Sequence, residues 1–126
     1  MTRRLIIQTQ NFQHNAAMLE AYCEGHGIPE QYGNMLSELN TTVVPNLRRF
    51  PAMGRPFLQR EPYSIEALNG LTRLMALLAL LPKGTEIREY VLAQHIILYA
   101  TTADTVYLLS IKHHKQLSFD FLSFWT

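Results

Sequence analysis

The chain of 126 residues has little of several things that usually announce a function. A single cysteine, Cys23, excludes an internal disulfide framework, and a lone thiol fits a reducing compartment better than an oxidising one. The longest apolar run, "LMALLALL", is well short of the roughly twenty residues that cross a bilayer. The opening "MTRRLIIQTQNFQHN" has two arginines but no apolar core of signal-peptide length, so a cytoplasmic protein with no membrane partner is expected. A formal net charge of +1 gives a weak overall field and no bulk pull towards nucleic acid. Internal repeats, low-complexity tracts and long charge runs are absent too, and the length suits one domain spanning 1–126.

What is there alternates between strand and helix signals. "RLIIQTQ" predicts a first strand over Arg4–Thr9. Asn11 then stands as a helix N-cap, with Phe12, Ala16, Leu19 and Cys23 at helical spacing until Gly25 and Gly27. Pro29 suits the first turn of a second helix, whose face is Tyr32, Met35, Leu36, Leu39 and Val43 and which Pro45 breaks or kinks. The prolines and glycine of "FPAMGRPFLQREPYS" predict an ordered turn rather than an element. Ser64 caps an expected extra helix that Pro82 and Gly84 end, within an inserted segment at about 58–84. Three strand-like runs, "EIREYVL", "QHIILYATT" and "TVYLLSIKH", follow with tight connections. The middle one is apolar on both faces, as a central strand is. The expected fold is therefore α+β: an N-terminal strand, an antiparallel helical hairpin, the extra helix and a three-stranded antiparallel meander, with helices on one side of the sheet.

The candidate residues for chemistry gather at the end of the last strand, in Lys112, His113, His114 and Lys115. Alternation puts His113 in phase with Tyr107, Leu109 and Ile111, and turns His114 the other way into solvent. Adjacent residues on a flat strand cannot chelate one metal, so no metal site is expected. Arg55 is expected to order its own turn by donating to carbonyls. Arg88 and Glu89 face opposite ways, either solvated or paired across strands, while His95 and Tyr99 share a strand face. Cys23, on the apolar side of its helix, reads as a small buried hydrophobe. The large aromatics of the tail "FDFLSFWT" must pack on the chain's own helices or under a partner.

Taken together, the element order, "LRRFPAMGRP" and "REYVLAQHIILYATTADTVYLLSIKHHKQ" resemble the RelE/ParE superfamily of toxins from bacterial type II toxin–antitoxin modules. "FPAMGRP" looks like that family's turn after the second helix, and "HIILY" followed by "IKHHK" looks like its ParE-like strand block. The resemblance covers nearly all of the chain except the inserted segment, and it implies no cofactor. It implies two readings of the target. In the ParE-like one, the protein binds and inhibits DNA gyrase without chemistry. Its target-binding residues are then Arg55, Arg88, His95 and Tyr99, together with Lys112, His113, His114 and Lys115.

In the RelE-like reading, the protein cleaves messenger RNA on the ribosome, and Arg88, His113, His114 and Lys115 are catalytic. Ile96 stands where such nucleases carry a phosphate-binding arginine, and an alkyl chain cannot hold a phosphate, which favours gyrase. Either reading implies an antitoxin encoded by a neighbouring gene, forming a hetero-oligomer through Phe119, Phe121, Phe124 and Trp125. A third expectation, from outside toxin biology, is a non-toxic protein-binding domain.

Overall fold

The computed structural model describes residues 4–57, 76, 79–116 and 119–121. Most of the expected extra helix in the segment at about 58–84 lies outside them, as do Phe124 and Trp125. The elements run β1 (Leu5–Gln8), α1 (Gln10–Gly25), α2 (Pro29–Glu38), a π turn (Leu39–Val43), α3 (Val44–Arg49), β2 (Arg55–Pro56), β3 (Glu86–Val91), β4 (His95–Thr101) and β5 (Thr105–His113). The fold is α+β.

Thr9, not Asn11, caps α1, its hydroxyl accepting the Phe12 N–H at 3.3 Å while donating to the Leu108 carbonyl at 2.7 Å. Asn11 is drawn into the helix because its amide is needed at the sheet, where it donates to the Leu109 carbonyl at 2.9 Å. The helix stops as expected at Gly25, and Gly27 turns the chain with φ +69, a left-handed conformation open to glycine at little cost. Pro29 opens α2. Pro45 does not end the helical path. The Val44 N–H reaches back to the Leu39 carbonyl in one wide turn, and α3 then runs on with proline in its first turn, where no backbone donor is needed. Met35, Leu39, Val43 and Leu47 thereby form one continuous buried face.

The expected meander β3–β4–β5 is present but is the middle of a larger sheet. The strand order is β1-β5-β4-β3-β2, with β1 parallel to β5 and the other pairs antiparallel. The unanticipated strand is Arg55–Pro56, inside what the prolines and glycine mark as a turn; it pairs with Arg88 and Glu89. A proline is tolerated there because β2 lies at the edge of the sheet among the described strands.

Both faces of the sheet are covered. Helices α1 to α3 pack Phe12, Met35, Leu39 and Val43 on Ile97, Tyr99, Val106 and Leu108. On the other side, Phe119 and Phe121 return over Leu98, Ala100 and Leu109, with Phe57 and Ile87 beside them. A bulge sits between these layers. Leu98 pairs with Ser110 but Tyr99 pairs with Leu108, which leaves Leu109 as an extra residue on β5. It breaks the simple alternation, so Tyr107 and Leu109 face the aromatic layer whereas Ile111 faces the helices.

Candidate functional site

Of the eight residues expected to meet a target, seven fall into two separate places. The first is the Gly54–Arg55 turn against β3 and β4. The Tyr99 hydroxyl accepts the Gly54 N–H at 2.9 Å and donates to the Pro51 carbonyl at 2.7 Å. Arg88 donates to the Gly54 carbonyl at 2.6 Å and pairs with Glu86 at 3.1 Å. Arg55 pairs with the buried Glu89 carboxylate at 3.2 Å. So Arg88, on the neighbouring strand, does the carbonyl capping expected of Arg55, and Arg55 is drawn to a carboxylate instead. Tyr99 is 0 % exposed and supports the turn from beneath; it is not a surface that a target touches. Its hydroxyl is held protonated, because burial raises its pKa.

The second place is where β4 starts and β5 ends. His95 and His113 pair directly across the strands, their rings edge to face at 5.2 Å. The Lys115 N–H donates to His113 Nδ1 at 3.1 Å, which leaves the proton of the neutral imidazole on Nε2. His114 is exposed, as expected, but β5 ends at His113. The chain turns there, and His114 Nε2 donates to the His95 carbonyl at 3.2 Å, with its ring 6.4 Å from His113. The Gln116 side chain holds that turn by accepting the His113 N–H at 2.9 Å.

Lys112 belongs to neither place. It is almost fully buried on the aromatic side, donates to the Gln116 carbonyl at 2.9 Å and lies 5.5 Å from the centre of the Phe119 ring. The aromatic layer likewise claims Phe119 and Phe121, 5 % and 4 % exposed, which pack on the chain's own sheet and do not present an open surface.

The three histidines and Lys115 open into one cleft of about 730 Å³ between the β4–β5 end and α1. Its apolar wall includes Leu19, Cys23, Ile28 and Ile111. Burial is the main reason that the His95 pKa falls to about 4, and the nearby His113 and His114 add to it. His113 is lowered as well, first by burial and then by Lys115. Both are neutral imidazoles at neutral pH, able to donate and accept hydrogen bonds but not to act as cations. Among the described residues, no three His, Cys, Asp or Glu side chains converge as metal donors.

The polar floor of this region is a network built on α1 that the sequence reading missed. Asn15 Oδ1 accepts from Asn11, from the Ser110 hydroxyl and from the Ile111 N–H at 3.2 Å, while Asn11 also donates to the Asp120 carbonyl at 2.8 Å. Two asparagines four apart on the otherwise apolar side of a helix were the available signal. Among the described residues, no helix is long and apolar enough to cross a membrane. No protein-family model matches the chain, and no curated protein matches its sequence.

Proposed function

We propose that the chain is a ParE-like toxin that inhibits DNA gyrase by binding it and is neutralised by a cognate antitoxin. The observation that carries this choice over RNA cleavage is the state of the cations. Cleavage needs arginine or lysine groups free to take up charge on a phosphate, beside an acid and a base. Arg55 is committed to Glu89, Arg88 to Glu86 and Gly54, and Lys112 to Gln116 and Phe119. Ile96, at the position of the nuclease arginine, packs with the aromatic layer. Among the described residues that leaves Lys115 as the one exposed lysine beside the histidines, and one ammonium is a thin phosphate site.

The strand, the helical pair, the "GRP" turn and the antiparallel strands follow one another in the order that the resemblance calls for. With Phe119 and Phe121 buried, the contact with an antitoxin shifts to exposed apolar side chains such as Leu5, Phe50 and Met53.

The test is to induce the protein alone in a bacterial host, follow DNA-damage signalling and the integrity of translated messages together, and assay supercoiling by gyrase with the pure protein. Damage signalling with intact messages and blocked supercoiling is the expected result. Early message cleavage that disappears in a His113→Ala, Lys115→Ala variant would instead establish the RelE-like nuclease. Harmless induction with unaffected gyrase would leave a non-toxic binding domain.

A further inference from the structure

The cleft at the β4–β5 end has the make-up of a small-molecule site rather than of a leftover gap. Its volume of about 730 Å³ lies in the range of ligand pockets, and its walls combine apolar side chains with a few converging polar groups. His95 is 5 % exposed, yet its ring nitrogens take no hydrogen bond from any described residue. No fully enclosed side-chain nitrogen or oxygen among the described residues lacks a partner, so the His95 nitrogens meet the cleft itself. Ring nitrogens that face an open cleft without a described protein partner bond to water there or to a ligand that displaces it.

The neighbours define the complementary chemistry. The amide of Lys115 occupies His113 Nδ1, so the neutral His113 presents Nε2–H as a donor. The Lys115 ammonium is exposed at the same rim, and Asp120 is the only acid among the described lining residues. Two imidazoles and one ammonium thus stand beside the apolar wall of Leu19, Ile28 and Ile111. We propose that the cleft binds a small organic acid, whose carboxylate lies among His95, His113 and Lys115 and whose apolar body lies on Leu19, Ile28 and Ile111. This proposal is independent of the toxin reading, since it concerns the helix-facing side of the strand end and needs no partner protein.

Phenylacetate is a suitable probe, with phenylacetamide and phenethylamine as its neutral and cationic counterparts. The full chain, labelled on histidine, is titrated with each near neutral pH while the imidazole resonances are followed. Phenylacetate is expected to shift His95 and His113 saturably, with the amide about tenfold weaker, as the loss of a charge-assisted contact implies, and the amine without effect. Lys115→Gln, an exposed substitution that leaves the fold in place, should weaken phenylacetate about tenfold and leave the amide unchanged. Equal binding of acid and amide would overturn the proposal, as would an unchanged affinity in Lys115→Gln or the absence of any saturable shift at His95 and His113. An acidic peptide that shifts these resonances where phenylacetate does not would also overturn it, by making the cleft a protein-docking site.

Discussion

The hydroxyl of Tyr99 and the backbone of Gly54 are locked together: one hydrogen bond of 2.9 Å joins them, and there is no room for a side chain between them. A Cβ on Gly54 would lie 2.6 Å from that hydroxyl and 2.8 Å from the ring, and it would also strike the Glu89 carbonyl oxygen. The glycine of "GRP" is therefore required by close approach and not by φ. Tyr99→Phe keeps the ring but strips partners from the Gly54 N–H and the Pro51 carbonyl, and should cost about 1–3 kcal/mol. Gly54→Ala should cost a similar or larger amount by overpacking. Urea denaturation of the two single variants and the double variant checks this. A double variant less destabilised than the sum is expected, because both changes act on one contact.

Two ion pairs of β3 among the described residues should differ in their worth. Glu89 is 1 % exposed and pairs with Arg55 across the edge of the sheet, whereas Glu86 pairs with Arg88 in solvent. Arg55→Ala takes one partner from the buried Glu89 carboxylate and should destabilise by about 1–2 kcal/mol, less than a fully buried pair because the arginine is half exposed. Glu86→Ala should stay within about 0.5 kcal/mol. Equal effects in denaturation would mean that Glu89 is supported by its other contacts and that Arg55 is free to work at the surface.

How much of this was legible in the sequence depends on whether a signal was local. Helix ends at Gly25 and Pro29, the buried stripe Met35–Leu39–Val43 and the three meander strands each follow from spacing within a dozen residues. Three features do not. The bulge at Leu109 arises from how β5 is packed on two faces, and it inverted the expected phase of Tyr107 and Leu109 relative to His113. The Arg55–Pro56 strand exists only because β3 offers it an edge. The burial of Phe119 and Phe121 depends on the sheet face opposite α1 to α3, a property of topology. At the candidate site the expected residues do not form one group: Arg55, Arg88 and Tyr99 support a turn, Lys112 lies on the opposite face, and His114 joins His95 and His113 only because the strand ends one residue before it.

Asn15 holds the bulge in place, and its loss should be felt there first. Its side-chain oxygen accepts the Ile111 N–H and the Ser110 hydroxyl, just after the unpaired Leu109. Asn15→Ala would leave that buried amide without a partner and should cost about 1–3 kcal/mol. Hydrogen exchange separates the local from the global effect: the Ile111 amide should lose protection beyond the overall loss of stability, while amides in α2 lose only the global amount.

The histidine cleft should make the protein sensitive to mild acid. His95 is neutral in the folded protein down to about pH 4, whereas an unfolded histidine takes up its proton near pH 6.5. Between those values the unfolded chain binds more protons, so stability is complete above about pH 6.5 and declines as the pH falls towards 4. Because its ring nitrogens meet the open cleft, solvent screening reduces the contribution of this one group to about 1–2 kcal/mol. His113, shifted in the same direction, adds to the loss in the upper part of that range. His95→Phe removes the buried acceptor of that proton but keeps a ring against His113, so its stability should fall less steeply with acid than that of the parent chain. Thermal melts of both proteins at several pH values from about 4 to 7.5 measure the two slopes. Parallel slopes would show that His95 reaches water and titrates as freely in the folded chain as in the unfolded one, and that the acid sensitivity lies elsewhere.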